Sequence, residues 1–292
     1  MSRRLVINLV LIALVAGLAA LLFLPGLFDQ TRTQGSSTSA LAPLGEQLDL
    51  ADSGPRTVRV RRGSDQIRLA RTDGAWRMVS PANARPDAAH LALIKALRST
   101  PPERQLADTT IDSEVSGLDT PLVVQYDDRP PVRIGGPGPT GATRYVAAAG
   151  ALWLVALPHY DTLSWHWTDW LDRALVPESR RLTRIVLPDY TLSRTHDTWT
   201  LAPKGRRPAA AAGATAAAWQ RAAALAVVPA DHRRERLSRV TLVFADDSQK
   251  IYDVIERGPN LILRDDALDV DYHLAGNRID ALLNLVHPGL SK

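Results

Sequence analysis

The sequence predicts an α+β protein: an N-terminal transmembrane helix followed by two tandem repeats of antiparallel strands plus helices. Three observations predict it. Leu5–Leu24 is a run of 20 residues whose one polar member is Asn8. Strand-like alternation recurs in groups, each followed by apolar residues at helical spacing. The block Arg71-Thr72-Asp73-Gly74-Ala75-Trp76 returns as Arg194-Thr195-His196-Asp197-Thr198-Trp199, with Arg, Thr and Trp each displaced by 123 residues. At 292 residues, 45% hydrophobic and 23% charged, the chain has material for one large or two small cores.

The elements follow in order. Residues 1–4 are expected to form a cytoplasmic N-terminus and residues 5–24 the membrane helix. A helix of that length spans about 30 Å, the thickness of a hydrocarbon core. A secretory signal has a shorter apolar region of roughly 7–15 residues, and Pro25-Gly26 ends this run without a clear small-residue cleavage pattern. Arg3 and Arg4 precede the run and the next basic residue is Arg32. The positive-inside rule then sends the bulk of the chain to the extracytoplasmic side of the inner (cytoplasmic) membrane. Residues 25–55 are rich in Ser, Thr, Gly and Ala and read as a flexible linker, spanning on the order of 25–30 Å as a coil.

The first repeat is placed at 56–178 and the second at 179–292. Alternation at Val58 and Val60, then at Ile67 and Leu69, precedes the first Trp block. Ile185, Leu187 and Leu192 precede the second. A helix is expected near Asp87–Arg98, with Asp87 as its N-cap, and its counterpart near Thr215–Val227, with Thr215 as its N-cap. Leu122–Asp128 matches Val240–Asp247, each an apolar strand ending in an acidic turn. Further strands are expected at Val132–Ile134, Arg144–Ala148 and Leu152–Leu157, and at Ile251–Ile255, Leu261–Leu263 and Tyr272–Leu274. Closing helices are expected near Asp161–Ala174 and Arg278–Val286. Internal duplication accounts for this symmetry. Trp76 and Trp199, with Pro81 and Pro203 a few residues on, are its structural markers, and both indoles are expected in the core.

With these residues in view, the chain resembles the bacterial domain of unknown function 4340 family. Asp73-Gly74-Ala75-Trp76 with Pro81, the Arg144-Tyr145-Val146 strand and Leu182-Thr183-Arg184-Ile185 carry the resemblance, over about residues 56–286. The second block departs from the pattern, with His196-Asp197-Thr198 in place of Asp-Gly-x. Some members of that family are encoded beside ABC-transporter components. The resemblance implies an accessory extracytoplasmic subunit and supplies no catalytic residues.

The chemistry-bearing residues narrow the function. Lys+Arg 35 against Asp+Glu 31 leaves +4, two of it from Arg3 and Arg4, too little for a nucleic-acid footprint. With no cysteine, disulfides, thiolate metal sites and cysteine nucleophiles are excluded. The seven histidines form no recognised ligand spacing, although His159 and His166 stand seven apart. Gly135–Gly141 lacks the Gly-Lys-Ser/Thr ending of a phosphate loop and contains two prolines, so it reads as a mobile hairpin connection. Asp265, Asp266, Asp269 and Asp271 read as a solvated turn rather than a calcium loop. Arg180-Arg181 and Arg233-Arg234-Glu235-Arg236 read as solvated basic runs. No catalytic residues, metal or cofactor are expected.

Trp165, Trp167 and Trp170 crowd one segment. They offer a docking patch for a membrane partner, a glycan or lipid headgroups, against the plainer reading of a core helix sealing the first repeat against the second. The sequence as a whole reads as a non-enzymatic, single-pass accessory or scaffold subunit of a transporter or cell-envelope complex. Its expected partners are a membrane protein complex, ABC-transporter components among them, and the lipid bilayer through residues 5–24. The alternative is a glycan- or peptidoglycan-binding module using the Trp patch, and a hydrolase is a distant third.

Overall fold

A computed structural model describes residues 41–48, 54–107, 111–158, 160, 166–203 and 209–285. It corrects the α+β expectation. The chain is mostly β, built on two eight-stranded antiparallel sheets with few helices. The expected anchor, Leu5–Leu24, lies outside the described residues. No helix among the described residues is long and apolar enough to cross a membrane.

The first sheet contains β1 (Thr57–Arg62), β2 (Asp65–Thr72), β3 (Ala75–Ser80), β4 (Arg104–Leu106), β5 (Leu122–Tyr126), β6 (Val132–Pro137), β7 (Arg144–Ala148) and β8 (Ala151–Val155). Their spatial order is β3-β2-β1-β5-β6-β7-β8-β4. The second contains β9 (Leu182–Val186), β10 (Thr191–Thr195), β11 (Thr198–Ala202), β12 (Ala226–Pro229), β13 (Ser238–Phe244), β14 (Gln249–Arg257), β15 (Leu261–Asp265) and β16 (Val270–Leu274). Its order, β11-β10-β9-β13-β14-β15-β16-β12, matches the first strand for strand.

Alternation explains the strands. Val58, Val60, Ile67 and Leu69 turn inward while Arg59 and Arg68 turn away, so β1 and β2 bury one face. In β5, Leu122, Val124 and Tyr126 do the same, and Val240, Leu242 and Phe244 do so in β13. The edge strands β4 and β12 carry little such signal: β4 has no fully buried position and β12 has only Val227. Pro229 ends β12 on an edge, where a missing N–H costs no ladder bond.

In each half a helix follows the first hairpin group and leads to the strand on the opposite edge. Among the described residues the α-helices are α1 (Leu44–Gln47), α2 (Ala88–Ser99), α3 (Ser113–Ser116) and α4 (Ala209–Gln220). Asp87 caps α2, its carboxylate accepting from the N–H groups of Ala89 and His90. Leu93, Ile94 and Leu97 line the inner face of α2, and the Tyr126 hydroxyl donates to Ile94 O at 2.9 Å. The second helix corrects an expected boundary. Alanine favours helix strongly, so α4 begins at Ala209, and Thr215 is a fully buried interior residue rather than a cap. Val227 belongs to β12 instead.

Both expected closing helices are corrected too. The described part of the first is a single 3-10 turn, Trp167–Trp170, and the second is a π turn, Asp280–Asn284. Gly135 and Gly136 belong to β6 rather than to a mobile loop. A Cβ on Gly135 would stand 2.1 Å from Ser116 O, so glycine lets the α3 turn lie directly on the strand.

Candidate functional site

Residues 171–176 connect the two sheets and are held from both sides. On one side Asp172 N donates to Arg85 O (2.9 Å), and Asp87 N donates to Trp170 O (2.6 Å). On the other, Leu175 N donates to Ala222 O (2.9 Å), Ala224 N to Arg173 O (2.8 Å), and the buried Tyr252 hydroxyl to Leu175 O (2.9 Å). Every one of these backbone groups is satisfied away from a regular ladder, which gives the connector one conformation.

Beside the connector lies a cavity of about 300 Å³. Its floor is aromatic, with Phe244 and the Tyr252–Tyr272 pair, whose rings meet edge-on at 5.8 Å. Burial pushes both tyrosine hydroxyls well above their usual range and keeps them protonated.

Cations form the rim. Arg85 lies 2.8 Å from Asp172 and also donates to Ala174 O at 3.1 Å. Lys250 pairs with the buried carboxylate of Asp265. Arg180 donates to the Ser248 hydroxyl at 3.0 Å, and that hydroxyl donates to Asp246 at 2.5 Å. The Ser248 hydrogen bond holds Asp246 below the usual carboxylate range. Arg77, exposed on β3, has no carboxylate partner among the described residues.

The opposite face of the second sheet carries a row of alternating charge. Arg239, Asp253, Arg264 and Asp271 stand in register on β13, β14, β15 and β16. Arg239 grips Asp253 at 2.7 and 3.1 Å, and Arg264 grips Asp271 at 2.8 and 3.0 Å. The hydrogen bond from Arg239 holds Asp253 below its usual range. Arg264 also donates to Asp231 O at 2.7 Å, tying down the segment that covers the row. This arrangement orients strands and satisfies buried charge.

The residues marked by the sequence are dispersed. Trp165 lies outside the described residues, Trp167 is half-buried, and Trp170 is fully buried against His90, ring centroids 4.6 Å apart. Trp76 and Trp199 are half-buried rather than core. Each stands across the hairpin from the Arg of its own block, Arg71↔Trp76 and Arg194↔Trp199, and each Arg folds back on its turn carbonyl. This cross-strand relation underlies the repeated Arg–Trp spacing. The turns differ: Asp73 and Gly74 are both left-handed, whereas in the second hairpin only His196 is. Pro81 and Pro203 directly follow β3 and β11, each through a cis peptide bond.

Asp265 and Asp271 are buried and ion-paired, which corrects the expected solvated turn; Asp266 and Asp269 are exposed. Burial pays only when a charge is matched, and here Lys250 and Arg264 match them. His159 and His287 lie outside the described residues, and His166 caps the 3-10 turn at Thr168. Among the described residues no group of three or more His, Asp or Glu is arranged to hold a metal ion.

No sequence motif marks the cavity residues Arg77, Arg85, Lys250, Tyr252 and Tyr272 as a site. One signal was present: Lys250 shares the inward parity of Tyr252 and Val254 on β14, an unusual place for a cation. No family model, curated protein or solved structure matches the chain.

Proposed function

We propose that the chain is a non-enzymatic accessory or scaffold subunit of a transporter or cell-envelope complex, anchored in the inner membrane with its body extracytoplasmic. The observation that carries this reading is the order of parts: Arg3-Arg4, the apolar run Leu5–Leu24, a polar linker, then a large folded body. The resemblance to the domain of unknown function 4340 family supports the same reading. Trp170 is fully buried and so adds no surface to a glycan-docking patch.

A reporter enzyme that works only outside the cytoplasm, fused after Lys292, tests the proposal. Activity in intact cells is expected. A reporter active only in a cytoplasmic format removes the extracytoplasmic subunit from consideration.

A further inference from the structure

We propose that the cavity beside the inter-sheet connector binds a small organic carboxylate with an apolar body. Three observations converge on it. The first is charge: Arg77, Arg85, Arg180 and Lys250 face one space of about 300 Å³. Asp172 matches Arg85, Asp265 matches Lys250, and Asp246 reaches Arg180 through the Ser248 hydroxyl. Arg77 is left over among the described residues, so the rim carries one more cation than the carboxylates that serve it.

The second is an open donor. Tyr272 is 4% exposed and lines the cavity, yet its hydroxyl makes no hydrogen bond among the described residues. Its neighbour Tyr252 has spent its proton on Leu175 O. The ring is buried while the hydroxyl opens onto the cavity, so its proton is available to an acceptor on a ligand. The third is the floor. The tyrosine rings, Phe244, Leu171 and Leu268 offer apolar contact that a bare inorganic anion does not use. The volume is at the small end of ligand pockets. The anionic end belongs on the cationic rim, where a planar guanidinium suits a carboxylate, and the body belongs on the rings.

The test is calorimetric titration of the full chain in mild detergent with N-acetylphenylalanine. N-acetylphenylalanine amide, which lacks the charge, and inorganic phosphate, which lacks the body, are the comparisons. The acid is expected to bind at least about tenfold more tightly than either. Arg77→Ala and Tyr272→Phe are each expected to weaken it by about fivefold or more while leaving the melting temperature in place. Arg77 is exposed and Tyr272→Phe keeps the ring, so both variants retain the packing. Equal binding of acid and amide, binding unaffected by both substitutions, tighter binding of phosphate, or no binding of the acid overturns the proposal.

Discussion

Trp170 packs against His90 with ring centroids 4.6 Å apart and the rings tilted by 40°, and this contact joins the start of the connector between the sheets to α2. Both residues are buried, and His90 Nδ1 lies 2.9 Å from the Asp87 carboxylate that caps the same helix. One indole thus secures the connector to a capped helix end. Trp170→Ala is expected to destabilise the body by about 3–5 kcal/mol, the cost of emptying a large core site. Trp76→Ala and Trp199→Ala, at half-buried hairpin positions, are expected to cost about 1–2 kcal/mol. Urea unfolding of the three variants checks the ranking; equal losses would refute the assigned burial.

The Asp87–His90 contact makes stability pH-dependent in a defined direction. The His90 hydrogen bond, first among several, holds the Asp87 carboxyl below its usual value. The native chain therefore gives up this proton more readily than the unfolded chain does. Its contribution is fully present above about pH 4 and is lost as pH falls through the lowered value. Asp87→Asn keeps a capping oxygen and is expected to flatten the stability curve in that acid window. Asp87→Ala also removes the cap, with a loss of about 1 kcal/mol at neutral pH.

The Arg264–Asp271 pair is expected to matter most when half-broken. Both side chains are under a tenth exposed. Arg264→Met leaves a buried carboxylate unmatched and is expected to cost about 3 kcal/mol, while adding Asp271→Leu restores much of the loss. A double-mutant cycle by thermal unfolding measures this, and additive losses would contradict the pairing.

Two glycines make opposite predictions. At Gly135 a Cβ meets a backbone oxygen at 2.1 Å, so Gly135→Ala is expected to cost about 1–3 kcal/mol. At Gly213, within α4, a Cβ meets nothing within 4 Å. Gly213→Ala is expected to stabilise by up to about 1 kcal/mol through helix propensity. Melting temperatures that move in the same direction would refute the contrast.

Local pattern made much of the strand content legible. Val58, Val60, Ile67 and Leu69 alternate cleanly, and the Arg–Trp spacing follows from hairpin register. The α+β expectation fails because helical spacing also occurs in segments that tertiary contacts hold in other conformations. Trp167–Trp170 makes one 3-10 turn because its neighbours bond to Arg85, Asp87 and Ala222 rather than to one another. β4 and β12 leave no sequence signal because an edge strand of three or four residues has too few alternations. The cavity has no sequence signature for a different reason: Arg77, Asp172, Lys250 and Tyr272 are distant in sequence, the second sheet brings Lys250 and Tyr272 together, and the connector carries Asp172 to them.

The proposed subunit is held at the membrane beside a partner complex. Mild-detergent affinity purification of the full-length chain, followed by mass spectrometry and stoichiometry, tests that most directly. Recovery of integral transporter or envelope-complex subunits in fixed ratio, lost when Leu5–Leu24 is deleted from an exported form, is the expected result. Recovery of the chain alone, at native expression and across several detergents, would contradict it.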